Sequence, residues 1–416
     1  GTVTGGAFSG SGAGLTGIPT SAITGFAAAI PAVFNPVAVT GATPSLDVGS
    51  YNLFDNGKIT SNTTVSFASV PTNAKWSYTA SIGLASGAWD ISTISYVRAR
   101  SVGAEQTIPT GLFFKPDGAR MYLLGYTEVD EYTLGKPWDV SSAVHVQSTS
   151  LSSQESQPQD IFFKPDGTKM FIVGSNGVEV NEYALSTAWD SSTISATSVF
   201  SVSSQDTNPR GLHFKTDGTK MYVVGTAGQD INEYNLSTAW DITSASFLQN
   251  FSVASQEASP NAMFFKPDGT KMYVIGATGD DINEYNLSSA WDVSSASFLQ
   301  VSGYIGFFAP SAEALFFHPD GGYVYFAGSN KKQVVQCQLG TAATVTLPAS
   351  VENPVATAQT FNTTITYDFI TTDGGTTVNL IDNTPQYTAE AAIGTYTWGR
   401  PANDIAYPFG STATAV

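Results

Sequence analysis

Two short markers recur through the middle of this chain with one period of about fifty residues, and few folds accommodate that. The first is FFKPDG, at Phe113–Gly118 and Phe162–Gly167. It returns as HFKTDG at His213–Gly218, as FFKPDG at Phe264–Gly269 and as FFHPDG at Phe316–Gly321. Its aspartates, Asp117, Asp166, Asp217, Asp268 and Asp320, are 49, 51, 51 and 52 residues apart. The second marker is Trp-Asp, beginning at Trp89, Trp138, Trp189, Trp240 and Trp291, with spacings of 49, 51, 51 and 51. Two independent markers in step define five structural repeats.

Each repeat reads as four short strands. In the third, Gly211–Lys215 is apolar and ends in a Thr-Asp-Gly turn, a hairpin signal. Lys220–Gly225, Ile231–Leu236 and Ser246–Val253 follow as further strands separated by turns. Four antiparallel strands per fifty residues, repeated radially, make the blade of a β-propeller. The predicted fold is therefore all-β with five blades over residues 84–340. The strand before each Asp-Gly turn is expected innermost. The last repeat lacks a fourth strand, and the segment near Ser95–Val102, at the start, is expected to supply it. That closes the ring without a free sheet edge. The tryptophans read as packing between blades, with the following Asp capping backbone amides. The Lys and Asp of FKPDGTK read as hairpin-stabilising surface pairs.

Composition narrows the function classes. The 416 residues carry 17 basic and 34 acidic side chains, a formal charge of -17. A nucleic-acid partner requires a basic face to displace phosphate counterions, so none is expected. An anionic membrane surface is disfavoured for the same reason. The longest apolar run, Gly25 to Val39, is broken by Pro31, Asn35 and Pro36, so no membrane insertion is expected. Cys337 is the sole cysteine, which excludes an internal disulfide. A chain starting at Gly1 rather than Met is expected to be a fragment or a processed product.

The flanks have a different texture. Residues 44–83 and 341–384 each hold about three short strands. They are expected near Tyr51–Phe54, Thr64–Phe67 and Lys75–Ile82, and near Thr344–Leu347, Thr363–Thr371 and Thr376–Leu380. Neither half buries enough apolar surface alone. One discontinuous β-sandwich is expected, with the propeller inserted in a loop. Residues 1–43 are a Gly/Ser/Thr-rich linker or fibre segment, and residues 385–416 a C-terminal extension.

Those flanks resemble a module of bacteriophage tail and fibre proteins. The matching pieces are Leu46-Asp47, Asn62–Phe67, Val70-Pro71, Leu347–Val351 and Tyr367–Thr377. The stretch Ala7–Gly25 is similar to Gly/Ser-rich fibre shafts, and Gly394–Val416 to the ends of some tail proteins. The repeat text itself is similar to propellers of phage and marine bacterial sequences. The resemblance implies a virion structural protein, a tail fibre or appendage that displays the propeller for host-surface glycan attachment. It further implies other virion proteins as partners, a homo-oligomer of trimeric type and a location on the particle. A purely architectural or decorative virion role stays open, as does a bacterial surface or secreted adhesin, because propellers host many functions.

No metal-binding, nucleophile, phosphate-loop or cofactor motif appears, and no cofactor is expected. His145, His213 and His318 are far apart in sequence, and the last two replace Phe and Lys of the repeat. The candidate site is where the repeats disagree. Thr110, Gln159, Arg210, Asn261 and Glu313 occupy one repeat position, beside Asp160, which replaces Gly or Ala. They are expected to ring the upper mouth of the channel, flanked by loop residues including Asp230, Asp281 and Lys331. Such a mixed polar ring suits a glycan. Asp160 and Glu313 also raise glycoside hydrolysis as a lesser alternative. With no third inner-strand carboxylate and no supporting motif, the chain is expected not to be an enzyme. The pair Asp280-Asp281 reads as a solvated turn before a calcium contact.

Overall fold

The computed structural model describes residues 37–38, 41, 43–47, 53–59, 61–68, 74–82, 84–342, 345–347, 351–352, 363–371 and 378–386. Of the fibre-like segment expected over residues 1–43 and the extension expected over 385–416, all but residues 37–38, 41, 43 and 385–386 lie outside the described residues. Val37–Ala38 is not linker but pairs parallel with Phe54–Asp55, and the strand Val378–Gln386 runs into the expected extension. The described chain is all-β, with short 3-10 turns and no α-helix. Its contacts divide into two compact units, one around residues 82–344 and one formed by described residues on either side of that span.

The larger unit is a five-bladed propeller of four-stranded antiparallel sheets. In the third blade the strands are Pro209–Phe214, Lys220–Gly225, Asp230–Leu236 and Ala245–Ser252, in that order from axis to rim. The inner strands Gly111–Phe114, Pro158–Phe163, Pro209–Phe214, Pro260–Phe265 and Ala314–Phe317 touch one another in a closed circuit. The second strands are buried almost throughout, because neighbouring blades cover both faces. In blades 2 and 3 the outer strands have only half-buried and exposed positions, which alternate toward their C-terminal ends as in a strand covered on one face. The fifth blade is completed by Ser95–Ser101, which pairs antiparallel with Gln333–Gln338. The start and end of the chain's propeller segment thus interlock as the repeat count requires.

The aromatic residues of the repeat do three separate jobs. The first of each inner-strand pair points to the axis. Phe113, Phe162, His213, Phe264 and Phe316 meet edge to face in a closed pentagon, with centroids 5.3, 5.2, 5.1, 5.4 and 5.4 Å apart in turn. The axis is therefore plugged, and the expected channel is only a depression above the plug. His213 stands in for a phenylalanine, and burial pushes its imidazole down to about 3. The second aromatic, such as Phe214, stacks on the blade's own tryptophan (Trp240, 5.5 Å) and meets an aromatic of the preceding blade (Phe171, 4.5 Å).

The tryptophans take φ of 62–65° and lie flat on the glycine of the hairpin turn. A Cβ on Gly218 would sit 2.3 Å from the indole of Trp240. Gly218 also has φ 75°, so the turn needs glycine on two counts. Each Asp after a tryptophan accepts from the amide two residues on, as Asp241 does from Thr243. Tryptophan carbonyls receive side chains of the preceding blade: Tyr122 Oη donates to Trp189 at 2.6 Å, Tyr222 Oη to Trp291 at 2.7 Å and Tyr273 Oη to Trp89 at 2.9 Å.

The two basic positions of FKPDGTK separate. Lys164–Asp166, Lys215–Asp217 and Lys266–Asp268 are surface pairs at 2.7, 2.8 and 2.6 Å. Desolvation pushes these carboxyls up, but the lysine and threonine bonds outweigh it and hold them at about 2. The second position is a blade-to-blade tie rather than a surface pair. Arg120, Lys169, Lys220 and Lys271 reach the buried carboxylates of Glu131, Glu182, Glu233 and Glu284. Arg120, Lys169 and Lys220 also donate 2.8 Å bonds to tryptophan carbonyls of the next blade. In the fifth blade both partners change together, to Tyr323 and Gln336.

Propeller residues Leu84–Ser86 and Thr341–Ala342 form an antiparallel ribbon where the chain enters and leaves. In the smaller unit, strands from both flanks share one six-stranded sheet, in which Ala74–Ile82 neighbours Thr363–Thr371. Two short parallel ribbons accompany it, Ser45–Asp47 with Ser66–Ala68 and Val345–Thr346 with Thr63–Thr64. Leu46, Phe54, Val65, Trp76 and Tyr78 are buried in this unit. One flank thus completes the other's sheet across the inserted propeller.

Candidate functional site at the propeller mouth

The five variable positions do converge. Thr110, Gln159, Arg210, Asn261 and Glu313 alone line a shallow depression at the upper end of the axis. In blades 2 to 4 a β-bulge in the inner strand just before the small-residue position turns these side chains upward. The groups are already engaged with one another and with neighbouring blades. Arg210 Nη1 donates to Gln159 Oε1 at 2.6 Å, and Asn261 Nδ2 to the Ala312 carbonyl at 3.2 Å. Thr110 Oγ1 donates to the Pro158 carbonyl at 3.2 Å, and Ser329 Oγ to Glu313 Oε1 at 2.5 Å. A glycan-sized ligand needs a cleft of roughly 300 Å³ or more, whereas the depression encloses only about 10 Å³, room for a water-sized group.

Asp160 lies below this ring and is buried. It accepts from the amides of Ile161 at 2.8 Å and Leu212 at 2.9 Å. Burial outweighs those two bonds and pushes its carboxyl up to about 7. Committed to backbone amides, it is part of the wall rather than of an open site. Asp230 bonds Asn232 and Asn250, and Asp281 bonds Asn283. Burial raises both carboxyls above the usual range, with Asp206 and Glu257 adding repulsion. Lys331 is exposed, and its ammonium reaches the Phe307 carbonyl.

The sequence reading passed over a second set at the same end. Glu155, Asp206 and Glu257 are buried in the connections between blades. Each accepts the amide two residues on, from Gln157 at 2.7 Å, Asn208 at 2.6 Å and Ser259 at 2.7 Å. Each also takes an amide of the upper loop, from Gly177, Gly228 and Thr278. At the same backbone-bonded position the connection into blade 1 has Gln106, which accepts from the Ile108 amide, and that between blades 4 and 5 has Ala309. There Asp280 Oδ1 supplies the missing carboxylate, accepting from Ser311 at 2.6 Å. That occupies Asp280 structurally, as a turn residue. Among the described residues no group of three or more His, Cys, Asp or Glu could hold a metal ion.

No family model matches this chain, and no curated protein matches it. Solved structures do. One is a candidate 6-phosphogluconolactonase of Bacteroides uniformis, 13% identical over 67% of this chain and 85% of that one, with a TM-score of 0.38. Another belongs to a nidogen/laminin complex, 14% identical over 56% and 76%, with a TM-score of 0.37. A third is the Cps50 (Swd1) β-propeller domain of Myceliophteria thermophila, 8% identical over 59% and 99%, with a TM-score of 0.35. None is close enough in sequence or superposition to carry an argument about activity. No helix among the described residues is long and apolar enough to cross a membrane.

Proposed function

We propose that this chain is a bacteriophage virion protein of tail-fibre or appendage type, which presents its propeller to glycans on the host surface. The observation that carries the reading is the contrast within the repeat. The Asp-Gly turns and tryptophans are copied in all five blades and the basic-to-glutamate ties in four, whereas the mouth position is a different polar residue in each of the five. A fold that needed one residue there would repeat it. The flanking fibre-type sequence supports placing that face on a particle. The role is binding rather than turnover, since Asp160 is held by two backbone amides and Glu313 by Ser329. Association of the chain into a trimer and contact with other virion proteins belong to the same proposal.

The test uses the full chain. Purified protein is added to host cells before infection, and antibody raised against it is used to label particles by electron microscopy. Binding to cells, blocked adsorption and labelled particles are expected. Unlabelled particles end the virion reading, and labelled particles with neither cell binding nor blocked adsorption end the receptor reading. An architectural role is the second reading. It is favoured by the rim bonds from Arg210 to Gln159 and from Asn261 to Ala312, which lace adjacent blades together.

A further inference from the structure

The connection between blades 4 and 5 breaks the repeat in a way the fold does not require. In every connection, the residue three beyond a buried aliphatic donates its amide back to that residue's carbonyl. Those pairs are Glu105 with Val102, Gln154 with Leu151, Gln205 with Val202, Gln256 with Val253 and Phe308 with Ile305. The residue just before each donor is thus equivalent: Ala104, Ser153, Ser204, Ser255 and Phe307. Four blades build this corner with a small side chain. The fifth puts a phenyl ring there, 80% exposed.

Phe307 is not alone. Tyr304, 54% exposed, stands perpendicular to it at 5.0 Å between centroids. The Tyr304 hydroxyl lies 3.4 Å from Asp280 Oδ2, the oxygen of that carboxylate not used by Ser311. Lys331 reaches the Phe307 carbonyl from the loop whose Ser329 bonds Glu313 of the mouth ring. An open aromatic face thus stands beside a carboxylate, a phenol and an ammonium, on the loops that border the mouth.

We propose that Phe307 and Tyr304 form a stacking platform for one pyranose ring of a surface glycan, with Asp280 and Lys331 as its hydroxyl partners. A sugar ring offers an apolar C–H face ringed by hydroxyls, and this corner offers the complement of both. A protein partner fits less well, because a stable interface buries about 800 Å² per side and this patch is two side chains wide. The inference rests on the glycan reading above and gives it an address that the water-sized depression of the mouth lacks.

The test is a binding titration of the full chain on an array of bacterial surface polysaccharides and their oligosaccharides. The variants are Phe307→Ala, Tyr304→Ala and Phe307→Trp, with melting temperature as the check on folding. Both sites are exposed and Ser or Ala serves in the other blades, so unchanged melting is expected. The platform predicts a loss of about tenfold or more for each alanine variant, with Phe307→Trp retaining affinity. Parent-level binding by Phe307→Ala overturns the platform and leaves the glycan reading standing. No binding by the parent overturns both. Intact glycan binding with lost incorporation into particles reassigns the corner to a virion protein contact and likewise overturns the proposal.

Discussion

Tyr325 Oη donates a 2.9 Å hydrogen bond to the Trp138 carbonyl, across the junction between the last blade and the first. Both groups are buried, so removing the hydroxyl leaves a carbonyl without its partner. Tyr325→Phe is expected to lower stability by about 1–2 kcal/mol. Urea denaturation of parent and variant measures it. The second blade is the internal control: it carries Phe171 at this position, and Lys169 alone serves the Trp240 carbonyl. Phe171→Tyr should therefore cost little or add stability.

The hairpin turn gives a sharper test. Gly218 combines φ 75° with an indole 2.3 Å from where a Cβ would be. Gly218→Ala is expected to cost more than about 2 kcal/mol, since strain and collision act together. In the same turn Thr216 stands where the four other blades have proline. Thr216→Pro should raise stability by up to about 1 kcal/mol by restricting the unfolded chain. Opposite shifts in melting temperature, two residues apart, are the expected result.

His213 makes stability pH-dependent. Its imidazole is held at about 3 in the folded protein and titrates near 6.5 when unfolded. The unfolded chain therefore binds the extra proton first, and stability is lost as pH falls below 6.5. The difference reaches about 2 kcal/mol by pH 5. His213→Phe restores the residue of the other four blades and should melt higher, by a margin that widens from pH 7 to pH 5. A margin independent of pH would show that the imidazole stays accessible to protons.

Asp160 works in the opposite sense. Its carboxyl titrates at about 7 when folded, against an ordinary value near 3.8. The folded state holds the proton longer, so stability is full below pH 4 and declines as pH rises through 7, by up to about 1.4 kcal/mol per unit. Asp160→Ala installs the residue that Ala262 and Ala314 provide in blades 4 and 5. Relative to parent it should gain stability from pH 5 to about pH 7 and level off above that. Because the two slopes oppose, the parent protein's own profile should be flatter than that of either variant.

The architecture was legible because the repeat is locally self-consistent. Lys220–Gly225 is a strand as read, and Ser95–Ser101 closes the ring as the missing fourth strand required. The mouth ring was legible for the converse reason, since variation against a constant background marks positions the fold leaves free. What escaped the reading depends on distance in space. Nothing in the KMYVVG or NEYNL text says that Lys220 and Glu233 meet the tryptophan turn of the next blade. The pentagon of Phe113, Phe162, His213, Phe264 and Phe316 fills an axis that strand patterning leaves open. Phe307 is not legible from the variable mouth position, because its corner lies six residues before Glu313 in a connection whose length also differs from the other blades.

The ribbon of Leu84–Ser86 with Thr341–Ala342 decides how this protein responds to pulling. Leu84 pairs with Ala342 and Ser86 with Thr341, so the two chain ends leave side by side. Tension applied through them opens the ribbon like a zip, one bond at a time, rather than shearing all its bonds together. Past it, Gly87 and Gly340 come so close that a Cβ on Gly87 would lie 2.5 Å from the Gly340 Cα. The next pair to open is Ser95 with Gln338, the near end of the seam that closes the ring. A propeller loaded this way is expected to peel from its own clasp, beginning at that seam.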